Sequence, residues 1–468
     1  MKKTRILSLL LVLMFGGVSA LKAQLQMPSV FTDGMVLQQK SKVTVWGWGN
    51  PADKIMLLGN WLPEDTVYAV VDHQGCWKAE METSAAGGPY ELIVKSNQEC
   101  LTVKDVMLGE VWLCSGQSNM EWSVNNGILN GEEEAAKASC HTLRIFHQPK
   151  QGAAFPQTDS RTHWEIASPQ SMRKTSATAY FFARYLTEHL QVPVGIIVAA
   201  WGGTPAEVWT PAEVINNDPV LAANKTDNTP WWPNEPGVLY NQMIHPVIPY
   251  AIAGCIWYQG ESNHGNATSY CQLTTKMVES WRKRFGKDFP FYYVQIAPHT
   301  YNSKGNTPAL LREQQQMMLN TVPNTGMINI SDLVENVSDI HPRNKRAIGE
   351  RLAFMVMDRH YDRFMQPYES PYLQQTDVRK NEVILTFAGD FTKLVSLTKD
   401  IQGIVVSDAN GVPYPVKVKI KGKTLRVSVK GIKTPYRICY CFDDATIGSL
   451  RTESGLPVLP FRTNLINI

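Results

Sequence analysis

Residues 110–119, EVWLCSGQSN, stand where the pattern of the sequence changes from closely spaced short strands to alternating strands and helices. The apolar run in this segment predicts a buried strand that ends at Cys114, and Ser118 follows four residues later. Further apolar runs alternate with helical patterns as far as about residue 370. Continuous apolar strands that alternate with helices predict a parallel sheet covered on both faces, which is a three-layer α/β fold.

The elements of this α/β region are predicted from apolar runs and helical periodicity. The later strands are VGIIVAA (194–200), AGCIWYQ (253–259), FYYVQIA (291–297) and GMINIS (326–331). The predicted helices span about 177–190, 270–285, 309–319 and 342–360. Pro342 suits the first position of the last helix, because the N–H that proline lacks has no partner there.

Strand patterns without helices flank this region on both sides. From residue 24 to about 105, short strands separated by Gly, Pro, Asn and Asp predict an antiparallel β-sandwich. Strands return after about residue 371, with DANG (408–411) as a hairpin-like turn. We therefore expect three units after the leader: a β-sandwich module at 24–105, an α/β domain at 106–370 and a second β module at 371–468.

The first 23 residues have the pattern of a secretory signal peptide. Basic residues precede an apolar run from Ile6 to Phe15, and small residues follow it, up to Ala23. The run is too short to span a membrane, so we expect export to the periplasm or the exterior and no membrane span. Removing the four basic residues of this leader changes the formal charge from +3 to −1, which offers nothing to recruit nucleic acid.

The eight cysteines, which all lie beyond the leader, do not predict a metal site. Export makes disulfides possible, but their pairing cannot be read from the sequence. Cys439 and Cys441 do not have the spacing of zinc ligands, and Cys114 and Cys255 fall inside apolar strands, where buried thiols are common. We expect no metal and no cofactor.

Candidate functional residues lie at or just beyond the ends of four predicted strands, at the sheet edge where parallel sheets bind ligands. They are Ser118, the pair Gly202 and Gly203, the pair Gln259 and Glu261, and His341. A serine can act as a nucleophile, glycine N–H groups and a glutamine amide can bind an oxyanion, and a histidine can act as base. Each residue alone also suits an ordinary role as a loop hydroxyl, a glycine turn, a surface charge or a helix-start histidine. Their joint occurrence, in chain order along one sheet, favours a catalytic site.

These segments resemble the SGNH hydrolase superfamily. Within it, the sequences LGEVWLCSGQSNMEW (108–122), WGGTPAEVW (201–209), IWYQGESN (256–263) and DIHP (339–342) are similar to those of the sialate O-acetylesterases. The resemblance extends over nearly all of the chain after the leader. It implies an SGNH-type domain that acts as a serine esterase on O-acetylated sugars.

The resemblance also implies roles for individual residues. Ser118 would attack the acetyl carbonyl and His341 would take its proton, with an oxyanion hole formed by the N–H groups of Ser118 and Gly203 and the side chain of Gln259. The superfamily spacing Asp-x-x-His is not kept, because position 338 is Ser. By the resemblance, Glu261 is narrowly preferred as the residue that orients His341, because the glutamate of the same QGE sequence has this role in related acetyl esterases. Asp339 is close behind and Asp332 is third.

Substrate-binding residues are less well defined by the sequence. Asn119 adjoins the nucleophile, and Trp122, Trp201 and Trp209 lie near the motifs, where they would stack on a sugar or pack the crevice wall. Arg312 is a candidate partner for the carboxylate of sialic acid. The Pro- and Trp-rich segment 224–236 would cap the site or pack on itself. Acetylated xylan is the alternative substrate, and a carbohydrate-binding protein without activity is the alternative of another class.

Overall fold

The computed structural model describes residues 24–226, 232–301, 303, 305–432 and 434–466, so the predicted leader lies outside the described residues. In the N-terminal module and the central sheet the strands are β1 Val36–Gln38, β2 Lys42–Trp48, β3 Lys54–Gly59, β4 Thr66–Val70, β5 Cys76–Glu82, β6 Gly87–Lys95, β7 Cys100–Gly116, β8 Cys140–His147, β9 Trp164–Ala167, β10 Val194–Ala200, β11 Gly254–Tyr258, β12 Phe291–Val294 and β13 Thr325–Ile328. The α-helices are α1 Ser118–Glu121, α2 Gly131–Ala136, α3 Pro169–Lys174, α4 Ala177–Leu190, α5 Ala212–Asn216, α6 Pro219–Ala223, α7 Tyr270–Phe285, α8 Thr307–Thr321 and α9 Lys345–Arg359.

The central sheet has the strand order β13-β12-β11-β7-β10-β8-β9, and only β9 runs antiparallel to its neighbour. Every residue of β10 and β11 is buried, which explains why these strands are apolar without alternation. Alternate side chains of β10 enter two different cores. One core includes α4 and α9, and the other includes α7 and α8. The predicted α/β class, with helices on both faces of a parallel sheet, is confirmed.

The 17-residue strand β7 links the N-terminal module to the central sheet. Its first part pairs with β6, and its last part pairs with β10 and β11. Between the two parts, Asp105 has a left-handed φ of 53°, and its carboxylate accepts hydrogen bonds from the buried Arg144 guanidinium. The predicted boundary at 105/106 thus falls inside a continuous strand, and the division into three units stays a prediction.

Gly116 ends β7 in a position where a side chain would not fit. Its φ is 144°, and a Cβ at this position would lie 2.2 Å from the carbonyl oxygen of Tyr258 in β11. This close approach brings the end of β7 against β11, and the chain then turns directly into α1. Ser118 is therefore held at the carboxyl edge of the sheet.

The C-terminal module consists of antiparallel strands around its own core. The strands are β14 Tyr372–Val378, β15 Glu382–Ala388, β16 Leu394–Ser396, β17 Ile404–Asp408, β18 Pro413–Tyr414, β19 Val418–Lys421, β20 Thr424–Ser428, β21 Tyr436–Tyr440, β22 Leu450–Thr452 and β23 Phe461–Arg462. The sheets β14-β15-β20-β19 and β18-β17-β21-β23 enclose buried residues such as Leu385, Val427 and Ile438. The predicted turn at 408–411 connects β17 to β18.

The last helix of the α/β region begins later in the chain than predicted. The prediction that Pro342 begins the last helix is wrong, because the helix begins at Lys345 and the side chain of Asn344 accepts a hydrogen bond from the N–H of Ala347. All eight cysteines are free. Within the described ranges, no helix is long and apolar enough to cross a membrane, and no group of three or more His, Cys, Asp or Glu side chains could hold a metal ion.

Candidate active site

Ser118 and His341 meet at the carboxyl edge of the sheet, although 223 positions separate them in the chain. Ser118 is the first residue of α1, directly beyond β7, and His341 lies in the segment between β13 and α9. Nε2 of His341 is 3.0 Å from Oγ of Ser118, which is hydrogen-bonding distance. This geometry allows a proton to pass from the hydroxyl to the imidazole.

Asp339 is the carboxylate beside this imidazole. Its Oδ1 accepts a hydrogen bond from the backbone N–H of His341 (2.9 Å) and lies 3.6 Å from Nδ1 of the ring. The side chain of Asp339 is 40% exposed and that of His341 is 22% exposed. Asp332, the third candidate, instead forms a bidentate ion pair with Arg351.

Glu261 has different neighbours, so the preference for it as the partner of His341 is not supported. It is buried, its Oε1 accepts a hydrogen bond from Nδ2 of Asn119 (2.6 Å), and its Oε2 has no hydrogen-bond partner among the described residues. Asn119 also donates to the carbonyl of Ile340 (3.1 Å) and accepts from Nζ of Lys345 (2.6 Å). The expectation that Asn119 binds substrate is wrong, because its side chain is fully buried in this network.

Lys345 is a residue that sequence reasoning missed. It lies in the first turn of α9 and is 1% exposed, and its ammonium group is 5.7 Å from the ring centroid of Trp122. The same Trp122 ring stacks on the imidazole of His341, with centroids 4.2 Å apart and an interplanar angle of 18°. A lone lysine on a helix is normally read as a solvated charge, so only tertiary burial identifies this one.

Burial and the nearby lysine determine the protonation of the base. Desolvation, followed by repulsion from Lys345, lowers the pKa of His341 to about 4, although the Asp339 carboxylate acts in the opposite direction. Burial also lowers the pKa of Lys345 to about 7 and raises the pKa of Glu261. The imidazole is therefore neutral at neutral pH and ready to accept a proton.

The turn after β10 provides backbone donors beside the serine. Gly203 has a φ of 73°, and a Cβ on it would lie 2.8 Å from the ring of Trp232. A Cβ on Gly202 would lie 3.1 Å from Cβ of Ser118, so the turn packs closely against Ser118. Within the described part of the chain, the N–H groups of Ser118 and Gly203 donate to no acceptor. Both are free to bind an oxygen of a ligand.

The side chain of Gln259 is not free in the same way, which corrects its expected role as an oxyanion donor. Its Nε2 donates to Oδ1 of Asn263 (2.7 Å) and to the carbonyl of Thr204 (3.2 Å), so both amide hydrogens are used. Its Oε1 accepts from the hydroxyl of Tyr270. Gln259 is fully buried and holds the turn after β10 in place.

Only some of the other residues predicted to bind substrate are accessible to a ligand. Arg312 is 2% exposed, and its guanidinium donates to backbone carbonyls of the C-terminal module, so its expected role with a substrate carboxylate is wrong. Trp209 is fully buried in the core, whereas Trp201 is half-buried. Segment 224–236 was predicted to cap the site or to pack on itself, and its residues 227–231 lie outside the described residues. Its Trp232 is 39% exposed beside Gly203 and can contact a ligand there.

Comparisons with known proteins show which family the chain belongs to. The sequence model of a family described as carbohydrate esterase, sialic acid-specific acetylesterase, matches residues 108–358. The sialate O-acetylesterases of Homo sapiens and Pongo abelii are each 28% identical to this chain over 396 residues, covering 76% of this chain and 75% of each relative. The crystal structure of a carbohydrate acetylesterase from Xanthomonas citri has a TM-score of 0.84 at 33% identity, covering 94% of this chain and 100% of that chain. These findings confirm the resemblance inferred from the four motifs.

Proposed function

Because this chain belongs to the carbohydrate esterase family of sialic acid-specific acetylesterases, it is a carboxylic ester hydrolase, and we propose that it removes O-acetyl groups from sialic acid through an acetyl-enzyme on Ser118. The observation that carries the mechanism is the 3.0 Å contact between Oγ of Ser118 and Nε2 of His341. The free N–H groups of Ser118 and Gly203 beside this pair support it. No step requires a cofactor.

The proposed reaction has two halves that use the same groups. Ser118 Oγ attacks the acetyl carbonyl carbon while His341 takes the hydroxyl proton, and the N–H groups of Ser118 and Gly203 stabilise the oxyanion. The tetrahedral intermediate collapses, and His341 returns the proton to the departing sugar oxygen. Water then attacks the acetyl-serine with His341 again as base, which releases acetate and restores Ser118. Asp339, close to Nδ1 of the ring, stabilises the imidazolium that forms in each half.

The pH dependence of kcat/KM should reveal this base. Because activity requires the neutral imidazole and burial lowers the pKa of His341 to about 4, we expect kcat/KM to be lost only as the pH falls through about 4. Replacing Lys345 by methionine removes a positive charge that lowers this pKa. The acid limb should then move upward, to between pH 4 and the ordinary histidine value of 6.5, since burial remains.

The measurement is kcat/KM for p-nitrophenyl acetate at constant ionic strength, corrected for background hydrolysis. The control is Lys283→Met, which removes the same charge from an exposed position on α7 and should leave the limb unchanged. An acid limb near pH 6.5 in the unmodified protein would contradict the proposed state of His341.

The substrate can be tested by comparing acetate release from O-acetylated sialic acid and from acetylated xylan. Family membership favours sialic acid, and we expect its kcat/KM to be at least about tenfold higher, a difference within reach of pocket contacts. The internal position of Arg312 favours the alternative, because it removes the one cation proposed for the carboxylate of sialic acid. A ratio in favour of xylan would assign the enzyme to neutral acetylated glycans. Absence of turnover on both substrates and on p-nitrophenyl acetate would indicate a binding protein.

Export is part of the same proposal. It rests on the basic residues, the short apolar run and the small residues within positions 1–23. The enzyme would then act on glycans in the periplasm or outside the cell.

A further inference from the structure

We propose that Glu121 is a positioning residue that fixes the oxyanion-binding turn against the nucleophile. The inference rests on the proposed function and deepens it, because it concerns the same site. Glu121 lies on α1, three residues after Ser118, so one short helix carries both the nucleophile and this carboxylate. Glu121 does not contact the substrate in the proposed reaction, so its effect is exerted through the turn.

The carboxylate of Glu121 reaches across to the turn after β10. Its Oε2 accepts a hydrogen bond from the backbone N–H of Gly202, at 2.5 Å. Gly202 packs directly on Ser118, and the next N–H in the chain is that of Gly203, the proposed oxyanion donor. Glu121 thus accepts a hydrogen bond from the residue that packs on the nucleophile and that directly precedes the proposed donor in the chain.

Among the described residues, the other hydrogen bonds of this turn hold its two ends and not its centre. The N–H of Trp201 donates to the carbonyl of Gly116 (3.1 Å), and the hydroxyl of Thr204 donates to the carbonyl of Trp201 (2.6 Å). The carbonyl of Thr204 accepts from Gln259 (3.2 Å). Between these anchors stand two glycines, whose backbones are the most permissive of all residues. The bond from Glu121 therefore restricts the part of the turn that would otherwise be least constrained.

A carboxylate suits this position because it has two acceptor oxygens. While Oε2 binds the turn, Oε1 accepts a hydrogen bond from Nζ of Lys150 (2.7 Å). The side chains of Glu121 and Lys150 are 29% and 47% exposed, so the ion pair itself contributes little to stability. The bond to the N–H of Gly202, and not the pair with Lys150, is therefore the contact that positions the turn.

The expected consequence is kinetic. Loss of a complete oxyanion donor typically costs 10²–10³-fold in kcat, and a donor that is only displaced should cost less. We expect Glu121→Ala, and the similarly long Glu121→Met, to lower kcat/KM for p-nitrophenyl acetate by about 10- to 30-fold. Glu121→Gln keeps an acceptor oxygen for the N–H of Gly202 and should stay within about threefold of the unmodified enzyme.

Affinity for methylboronic acid separates positioning from general damage. This compound forms a tetrahedral adduct with a serine hydroxyl and places an oxygen where the oxyanion would be. Its affinity should fall in the Ala and Met variants by a factor similar to the fall in kcat/KM, with little change in Tm. The control Lys150→Met removes the ion pair but leaves the bond to Gly202, and should resemble Glu121→Gln.

Several outcomes would overturn the inference. Unchanged boronate affinity in both Glu121→Ala and Glu121→Met would do so, as would a Gln variant as impaired as these two, since charge would then be the cause. The Met variant keeps the test valid if the Ala variant does not fold. Ser118→Ala, assayed in parallel, distinguishes the two hypotheses: full turnover in that variant refutes the proposed function, whereas its loss alongside normal Glu121 variants refutes this inference alone.

Discussion

Replacing Ser118 by alanine should lower kcat for p-nitrophenyl acetate by about 10⁴-fold or more, because the variant has no atom that can form the acetyl-enzyme. Residual activity would come from the oxyanion donors and bound water. The fold should survive, since Ser118 is partly exposed and the hydrogen bond of its hydroxyl among the described residues is that with His341. Initial rates and burst-phase release of p-nitrophenol measure the effect.

Ser115 provides a matched control for this experiment. It lies three residues before Ser118 in β7, is fully buried, and its hydroxyl has no hydrogen-bond partner within the part of the chain that is described. Ser115→Ala should therefore keep nearly full activity, because the change removes no hydrogen bond. If Ser118→Ala were as active as Ser115→Ala, the acetyl-serine mechanism would be rejected.

Replacing Asp339 by asparagine should lower kcat/KM by about 100-fold. Removal of the corresponding carboxylate from buried triads costs about 10⁴-fold, but Asp339 is 40% exposed and lies 3.6 Å from Nδ1 of His341, so water compensates in part. The variant should also shift the acid limb to lower pH, because the Asp339 carboxylate raises the pKa of His341. The pH profile of kcat/KM records both effects.

Glu261→Gln is the discriminating partner of that variant. Glutamine keeps an oxygen that can accept the hydrogen bond from Asn119, so we expect a loss of less than about fivefold. The acid limb of Glu261→Gln should not show the shift to lower pH that is expected for Asp339→Asn. If Glu261→Gln lost more kcat/KM than Asp339→Asn, Glu261 would be the residue that orients His341. Equal small losses in both variants would mean that neither residue orients His341.

The sequence was sufficient to predict the α/β class and the region of the site. Apolar strands without alternation, such as residues 194–200, must be buried on both faces, and parallel strands align their carboxyl ends at one edge. Ser118, Gly203, Glu261 and His341 follow such strands, and the structure brings them to one region. The common location of these residues could be predicted from the order of the elements alone, because a parallel sheet places the ends of strands that are distant in the chain next to one another.

The individual contacts were decided by tertiary packing. Asp339 rather than Glu261 faces the imidazole, both amide hydrogens of Gln259 are already used, and Arg312 turns toward the C-terminal module. Lys345 becomes an electrostatic neighbour of the base only because the first turn of α9 is buried there. Residue type and spacing specify which chemistry a strand end can perform. The direction of a side chain and its free hydrogen-bonding capacity depend on neighbours from remote segments, which local sequence does not contain.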